Sequence, residues 1–151
     1  TTHSSPLSAP FLKNLNNLII ESGLSKYIRV YSEYLPQNEL LNKLSSFDLL
    51  VFPYQNTNES SSAAVRVAIS SGSPVIVSPL SIFDDLIDCV DKLPGHSVES
   101  IVDGIVPLIG RKNYKSQYKK RKKLILWKEQ HDFLLISQRL KRVIQSIEIN
   151  S

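Results

Sequence analysis

Two short, uninterrupted apolar runs constrain the fold of this chain more than any other feature. Residues 49–52 read LLVF, and residues 74–77 read PVIV. Runs of this kind are typical of strands that are covered on both faces, as in a parallel sheet. The segment between them carries small apolar residues at helical spacing and stops at Gly72, so the sequence predicts a strand–helix–strand unit.

Strand and helix signals alternate along the rest of the chain. Caps, prolines and apolar periodicity predict helices from Ser8 to Gly23, from Pro36 onward, and over residues 60–71, 82–87, 98–109, 114–129 and 132–147. Composition predicts further strands at 27–31 and 90–93. This order implies a single α/β domain over residues 1–151, a three-layer Rossmann-like parallel sheet with helices on both faces and C-terminal helices from residue 112.

The positive charge of the chain is concentrated in one segment. The net charge is +4, and from Arg111 to Lys123 eight of thirteen residues are Lys or Arg, with no acid among them. This run is equally compatible with a solvated basic helix and with a surface that binds anionic lipid headgroups. Nucleic acid is disfavoured, because the chain has no zinc-ligand spacing, RNA-binding aromatic signature or helix-turn-helix pattern.

Composition favours a cytoplasmic location, with peripheral attachment to the inner face of the membrane through the basic run as an option. The single cysteine, Cys89, allows no internal disulfide and reads as a small buried side chain. No apolar run approaches the ~20 residues of a membrane span, and residues 1–10 do not resemble a signal peptide. His3, His96 and His131 are scattered without metal-ligand spacing, so we expect neither a metal nor a cofactor.

The candidate site lies at the start of the helix between the two apolar runs. In parallel sheets, ligands bind beyond the carboxyl ends of the strands, where helices begin. The loop there carries Glu59, followed by Ser60, Ser61 and Ser62. Free amides at the positive end of a helix, together with three hydroxyls, suit a phosphate. The alternative is a plain N-cap, for which serine is a preferred residue.

The same edge of the sheet is predicted to collect further polar residues. The loops after residues 27–31, 49–52 and 74–77 all open onto it. They would bring several side chains close to Glu59 in one cleft, with Tyr34 as a further substrate-binding candidate; the others are Glu33, Gln55 and Asp84.

The order of these motifs resembles the donor-binding half of a two-domain glycosyltransferase of the GT-B fold, glycosyltransferase family 4. The matching positions are Asp48 and the strand that it precedes, Pro53, Glu59 and the stretch 68–78, which reads AISSGSPVIVS. The resemblance covers residues 10–145. It implies half of a GT-B fold and the transfer of a sugar from a nucleotide-sugar, with retention of configuration.

The resemblance also assigns roles to individual residues. It implies that Glu59 contacts the hydroxyls of the donor sugar, as the candidate catalytic residue. The segment of Ser60, Ser61 and Ser62 would hold the diphosphate. The second signature glutamate of the family, which grips the ribose, falls on Val67, and a valine cannot accept a hydrogen bond.

Two of these residues have alternative interpretations. A guanidinium only donates, so Arg66 is a candidate for neutralising a phosphate and cannot replace the missing glutamate. The alternative for Arg66 is an ion pair with Asp84 or Asp85. The alternative for Glu59 is an exposed position at a helix start, where the helix dipole favours an acid.

The family pattern includes first strands that this sequence lacks. The missing first strand would lie between those of residues 27–31 and 49–52, and its absence would leave buried backbone groups unpaired. We therefore expect the chain to be a fragment, or another chain or an unusual strand order to fill the gap. The acceptor site would come mostly from an N-terminal GT-B half, so the chain alone is expected to be inactive.

Three functions remain open at this point. The first is sugar transfer to a glycan or lipid-linked acceptor, as in polysaccharide biosynthesis. The second is a degenerate, non-catalytic module retained for assembly or membrane attachment, which Val67 and the missing strands favour. The third is a sugar-nucleotide epimerase of the same architecture, for which the chain carries no distinct signature.

Overall fold

A computed structural model of the protein describes residues 8–119 and 121–149. The chain divides into two compact units, with the boundary between Glu39 and Leu40. The first unit contains helix α1 (Ser8–Glu21) and the beginning of α2 (Gln37–Ser46). The second unit contains the sheet and the remaining helices. The assignment of the whole chain to one domain stays a prediction.

The first unit confirms a predicted helix and corrects a predicted strand. After α1, Gly23 has a φ of +68°, a left-handed conformation that glycine adopts without strain. Residues 27–31 form a turn and an irregular segment, and Tyr27 and Tyr31 are mostly exposed. The strand prediction is wrong because β-branched and aromatic composition does not by itself supply a neighbouring strand.

The second unit is built on a parallel sheet of three strands, β1 (Leu50–Phe52), β2 (Val75–Val77) and β3 (Asp91–Lys92), in that order. All residues of β2 are buried, as predicted for a strand with both faces covered. In β1 only Leu50 is buried, so the same expectation is wrong there. The reason is that β1 lies at an edge of the sheet that the described residues form.

Helical segments follow each strand. They are α3 (Ala63–Ser71), a 3₁₀ helix (Ser81–Leu86), α4 (Val98–Ile109), α5 (Tyr114–Lys119), α6 (Lys122–Gln130) and α7 (Phe133–Ile149). Helix α4 has the predicted bounds. The hydroxyl oxygen of Ser97 fixes its start by accepting a hydrogen bond from the amide of Ser100, and Gly110 is its C-cap. Helix α3 begins three residues later than predicted, and the predicted helix 114–129 is broken into α5 and α6.

Helices cover both faces of the sheet, which confirms the predicted layers. Because side chains alternate along a strand, Val75 and Val77 point to one face of β2 and Ile76 to the other. Val75 and Val77 belong to the main core, together with residues of α3, α5 and α6. On the opposite face lies α4, where a Cβ on Gly104 would come 3.5 Å from Cδ1 of Ile76 and 2.7 Å from Cδ2 of Leu93. A larger residue at position 104 would require the Leu93 side chain to shift.

The basic run is partly folded into the core, which explains its broken helix. The fully buried Tyr118 donates its hydroxyl to the carbonyl of Cys89. The hydroxyl of Tyr114 donates to Asp91, which also accepts from Arg121 at 3.1 Å. Arg121 has an extended backbone, and its guanidinium lies 4.5 Å from the centroid of the Tyr118 ring. We call Asp91, Tyr114, Tyr118 and Arg121 the Asp91 cluster.

Burial has chemical consequences in this part of the core. It raises the pKa of the Tyr114 and Tyr118 phenols, and the hydrogen bond to Asp91 raises that of Tyr114 further. Burial also raises the pKa of the Cys89 thiol. Since the thiolate is the nucleophile, Cys89 is a structural residue, as predicted, and not a reactive one.

Candidate functional site

A pocket lies at the carboxyl edge of the sheet, between the loop that follows β1 and the loop that follows β2. Its volume is about 210 Å³, and its lining residues are Thr57, Glu59, Ser60, Leu80, Ser81 and Ile82. Two predicted site residues, Glu59 and Ser60, are thus brought together. We call this site the Glu59 pocket. Its lining combines polar side chains with Leu80 and Ile82, so it can hold both the polar edge and the apolar face of a small ligand.

A local turn positions Glu59. Its amide donates to the hydroxyl oxygen of Thr57 at 3.1 Å, which closes a short turn just ahead of the pocket. The Glu59 side chain is exposed and forms no ion pair within residues 8–119 and 121–149. Its carboxylate is therefore available to accept hydrogen bonds from the hydroxyls of a ligand.

The three serines occupy different environments. Ser62 is buried, and its hydroxyl oxygen accepts a hydrogen bond from the amide of Val65 at 3.3 Å, so it is the N-cap of α3. Ser60 lines the Glu59 pocket, and Ser61 is exposed. Both precede the helix, so the prediction that Ser60 opens it is wrong. The capping bond of Ser62 fixes the helix start after the third serine.

The start of α3 keeps two amide donors open. The cap satisfies the amide of Val65, and no described group accepts a hydrogen bond from the amide of Ala63 or Ala64. Both alanines are exposed, and their methyl side chains leave room for a ligand to approach. Amides at the positive end of a helix stabilise anionic oxygens. These two amides are better placed for a phosphate than the hydroxyl of Ser62.

Arg66 is engaged by the protein itself. Its guanidinium pairs with Asp85 and donates to the carbonyl of Ser62 at 3.4 Å. The neighbouring Asp84 pairs with Lys92 at 2.7 Å. The ion pair that was the alternative for Arg66 is present, so a phosphate would compete with Asp85 for the guanidinium. Val67 is half-buried on α3.

Two other predicted cleft residues have different positions. Tyr34 lies in the first unit and is 76% exposed, and its role in substrate binding stays a prediction. Gln55 donates to the carbonyl of His96 at 3.1 Å, and Nδ1 of His96 lies 3.2 Å from the carbonyl oxygen of Tyr54. Gln55 and His96 therefore tie the loop after β1 to the turn before α4.

Three residues in or next to the Glu59 pocket were not predicted from the sequence, namely Thr57, Ser81 and Tyr54. Ser81 begins the 3₁₀ helix after β2, so the rule that ligands bind at the carboxyl ends of strands could have found it. A hydroxyl two residues before Glu59 is the signal of the turn that Thr57 makes. The Tyr54 hydroxyl lies 3.2 Å from Oγ of Ser62, and this contact between loop and helix cap has no local sequence signal.

Among the residues that the structure describes, no three His, Cys, Asp or Glu side chains are grouped so that they could hold a metal ion. His3 lies outside these residues. Over residues 8–119 and 121–149, no helix combines the length and the hydropathy of a bilayer span.

Solved structures resemble this chain closely in fold and weakly in sequence. Sucrose-phosphate synthase from Thermosynechococcus elongatus matches with a TM-score of 0.68 and 13% identity, over 92% of this chain and 35% of that chain. The C-terminal domain of a glycosyl transferase group 1 family protein from Francisella tularensis matches with a TM-score of 0.66 and 19% identity, over 83% of this chain and 65% of that chain. The chain has the fold of a GT-B glycosyltransferase C-terminal domain.

This GT-B fold confirms the predicted fold class and the family resemblance at the level of architecture. The chain spans 35% and 65% of the two structures that it matches. No family model and no curated protein matches its sequence. At 13% and 19% identity, the likeness of the GT-B domain to these neighbours extends to the fold and not to individual site residues.

Proposed function

We propose that this chain is the donor-binding part of a retaining glycosyltransferase, which transfers a sugar from a nucleotide-sugar to a glycan or lipid-linked acceptor. The observation that carries the proposal is the pocket that Glu59 and Ser60 line beside the open start of α3. On this proposal the enzyme works in the cytoplasm, in polysaccharide biosynthesis, and an N-terminal GT-B half binds the acceptor.

The Glu59 pocket and the start of α3, which follows it in the chain, would each suit one part of a sugar diphosphate. The amides of Ala63 and Ala64 would donate to phosphate oxygens. The Glu59 carboxylate would accept charge-assisted hydrogen bonds from sugar hydroxyls. Leu80 and Ile82 would cover the apolar face of the sugar ring.

The same groups suit the chemistry of glycosyl transfer. When the bond between the sugar and the diphosphate breaks, negative charge builds on the leaving phosphate oxygen. Amide donors that are already fixed in position stabilise this charge, and removal of one such donor typically lowers a rate by about 10²–10³. This chain would therefore stabilise the leaving group and orient the sugar, and it would bind the donor without turning it over alone.

Isothermal titration calorimetry of the purified chain with a panel of nucleoside diphosphate hexoses tests this function. We expect saturable binding of one donor, and we expect Glu59→Gln to weaken it about 10- to 100-fold, since a hydrogen bond to a charged group contributes about 1.5–3 kcal/mol. Glu39→Gln, an exposed glutamate in the first turn of α2, is the matched control and should not change the affinity. Absence of heat for every donor, or equal losses in both variants, would contradict the proposal.

A non-catalytic module is the second candidate. Val67 supplies no acceptor at the position of the second family glutamate, and Arg66 is engaged by Asp85. A donor site should bind the nucleotide-sugar more tightly than the nucleoside diphosphate alone, because Glu59 contacts only the sugar. A module without donor binding should show no such difference in a competition titration.

A further inference from the structure

A second pocket lies at the opposite end of α3, against α5 and α6. Its volume is about 360 Å³, and it is lined by the end of α3 and by side chains that include Lys119, Leu124, Ile125, Lys128 and Glu129. It shares no lining residue with the Glu59 pocket. We call it the lysine pocket.

The two lysines of this pocket lack the carboxylate partners that three basic residues of the segment 111–123 have. Lys115, Arg121 and Lys123 each pair with a carboxylate. In the described part of the chain, neither Lys119 nor Lys128 has such a partner. Two exposed lysines thus line one pocket with no described carboxylate paired to them.

Aliphatic side chains accompany these cations. Leu124 is 1% exposed and forms the floor of the pocket, whereas Ile125 and the adjacent Leu126 are 45% and 48% exposed. Lysines beside exposed aliphatic residues are typical of protein surfaces that rest on anionic bilayers. The ammonium groups contact phosphates there, and the aliphatic side chains enter the boundary between headgroups and acyl chains. A dissolved phosphate ion would make no use of the aliphatic residues.

We propose that the lysine pocket binds the phosphate of an anionic phospholipid headgroup. Lys119 and Lys128 would donate to the phosphate oxygens, and Ile125 and Leu126 would lie at the depth of the glycerol backbone. The pocket would hold the chain on an anionic membrane surface, and it uses none of the residues of the Glu59 pocket.

Both lysines also lie near helix C-termini, so their replacement can affect stability as well as binding. Lys119 is in the last turn of α5, and the ammonium nitrogen of Lys128 lies 3.5 Å from where a Cβ on Gly72 would sit, at the end of α3. Glu129 separates the two effects. Glu129 lines the same pocket, and its negative charge would repel a phosphate, so its removal should strengthen lipid binding.

Vesicle co-sedimentation of the full chain is the test, with phosphatidylcholine vesicles that either contain or lack phosphatidylglycerol. We expect binding only to the anionic vesicles. Lys119→Gln and Lys128→Gln should each weaken it about fivefold, and Glu129→Gln should strengthen it by a similar factor. Lys112→Gln removes the same charge from the basic segment outside the pocket, and it should change binding less than about twofold.

Several outcomes would overturn the proposal. Equal losses for Lys112→Gln and Lys119→Gln would mean that the segment attracts lipid without a pocket. Weaker or unchanged binding of Glu129→Gln would mean that no phosphate occupies the site beside it. Saturable binding of inorganic phosphate, or displacement from vesicles by a short duplex DNA at matched ionic strength, would assign the pocket to a dissolved phosphate or to nucleic acid.

Discussion

The Asp91 cluster and the Glu59 pocket both lie beside the sheet, and they use their polar groups in opposite ways. In the cluster, the hydroxyl of Tyr114 and the guanidinium of Arg121 both donate to Asp91. In the pocket, the carboxylate of Glu59 has no described ion-pair partner, and two helix amides nearby have no described acceptor. The cluster is therefore a structural element, and the pocket is available for a ligand.

Polar residues in a sequence therefore do not identify a binding site until their hydrogen-bond and ion-pair partners are known. The basic run looked like a surface, yet its tyrosines are buried in the core. The run of three serines was predicted to bind a phosphate. In the structure Ser62 caps the helix, and of the three only Ser60 lines the pocket. Groups that the protein has already satisfied contribute stability, and unsatisfied exposed groups are the ones that remain for binding.

The largest expected contrast is in stability. Tyr118→Ala should lower the free energy of unfolding by about 3–5 kcal/mol, because it removes a fully buried aromatic side chain. Glu59→Ala should change it by less than about 0.5 kcal/mol, because that side chain is exposed and forms no ion pair with a described residue. Urea unfolding of the two variants measures both values, and similar losses would mean that the pocket is structural too.

A smaller effect is expected when the acceptor of the cluster is removed. Asp91→Ala leaves the Tyr114 hydroxyl and the Arg121 guanidinium without their shared partner, which should cost about 1–3 kcal/mol. Asp103→Ala, at an exposed position of α4, is the control and should change the free energy of unfolding by less than about 0.5 kcal/mol. Equal free energies for both variants would show that the cluster contributes nothing.

Ser62 is a structural residue that lies close in sequence to the binding pocket, because its hydroxyl caps α3 two residues after Ser60. Ser62→Ala should lower the free energy of unfolding by about 1 kcal/mol through loss of the helix cap. It should leave the affinity for a nucleotide-sugar nearly unchanged, because its hydroxyl is already engaged by Val65 and Tyr54. Ser61→Ala should alter neither quantity by much. If Ser62→Ala left the stability unchanged and weakened donor binding, Ser62 would be a binding residue and not a structural cap.

The smallest effect is a loss of stability at high pH. The pKa values of Tyr114 and Tyr118 are raised in the folded protein, so their stabilisation is complete below the unfolded pKa of about 10 and is lost as the pH rises above it. At pH 10 the phenols of the unfolded chain are half ionised whereas the buried ones stay protonated, so each tyrosine already lowers the free energy of unfolding by a fraction of a kcal/mol. Cys89 adds a loss of the same sign from about pH 8.5.

Urea unfolding at pH 8 to about pH 10 measures this dependence. Tyr118→Phe and Tyr114→Phe should each make the decline shallower, since phenylalanine does not titrate. Tyr27→Phe, at a position that is 75% exposed, is the control and should leave the decline as it is. A decline that steepens in the cluster variants would contradict the raised pKa values.

Local signals predicted those elements whose ends are set by local contacts. Ser97 correctly predicted the start of α4, where it is the N-cap. The apolar run at 74–77 correctly predicted a strand that is buried on both faces. The break between α5 and α6 was not predictable in this way, because it depends on Asp91, thirty positions before Arg121. The predicted strand at 27–31 failed for a related reason, since a strand requires a partner that composition does not reveal.

The candidate site was predictable in place but not in detail. The alternation of strands and helices located it at the carboxyl edge of the sheet, and Glu59 and Ser60 line the pocket there. The capping role of Ser62 and the ion pair of Arg66 with Asp85 were both among the alternatives, and the sequence alone did not decide between them and a ligand. The interpretation of Val67 as a missing ribose contact rests on the family resemblance and stays a prediction.

The tight fit of α4 at Gly104 has a consequence for anyone who would graft this domain onto another scaffold. An added methyl group at Gly104 would come 2.7 Å from Cδ2 of Leu93 and 3.0 Å from Cδ of Pro94, so both side chains would have to shift. The helix and the turn around Leu93 and Pro94 are therefore best transplanted as one block. If α4 alone is exchanged, the new helix should keep a glycine at position 104.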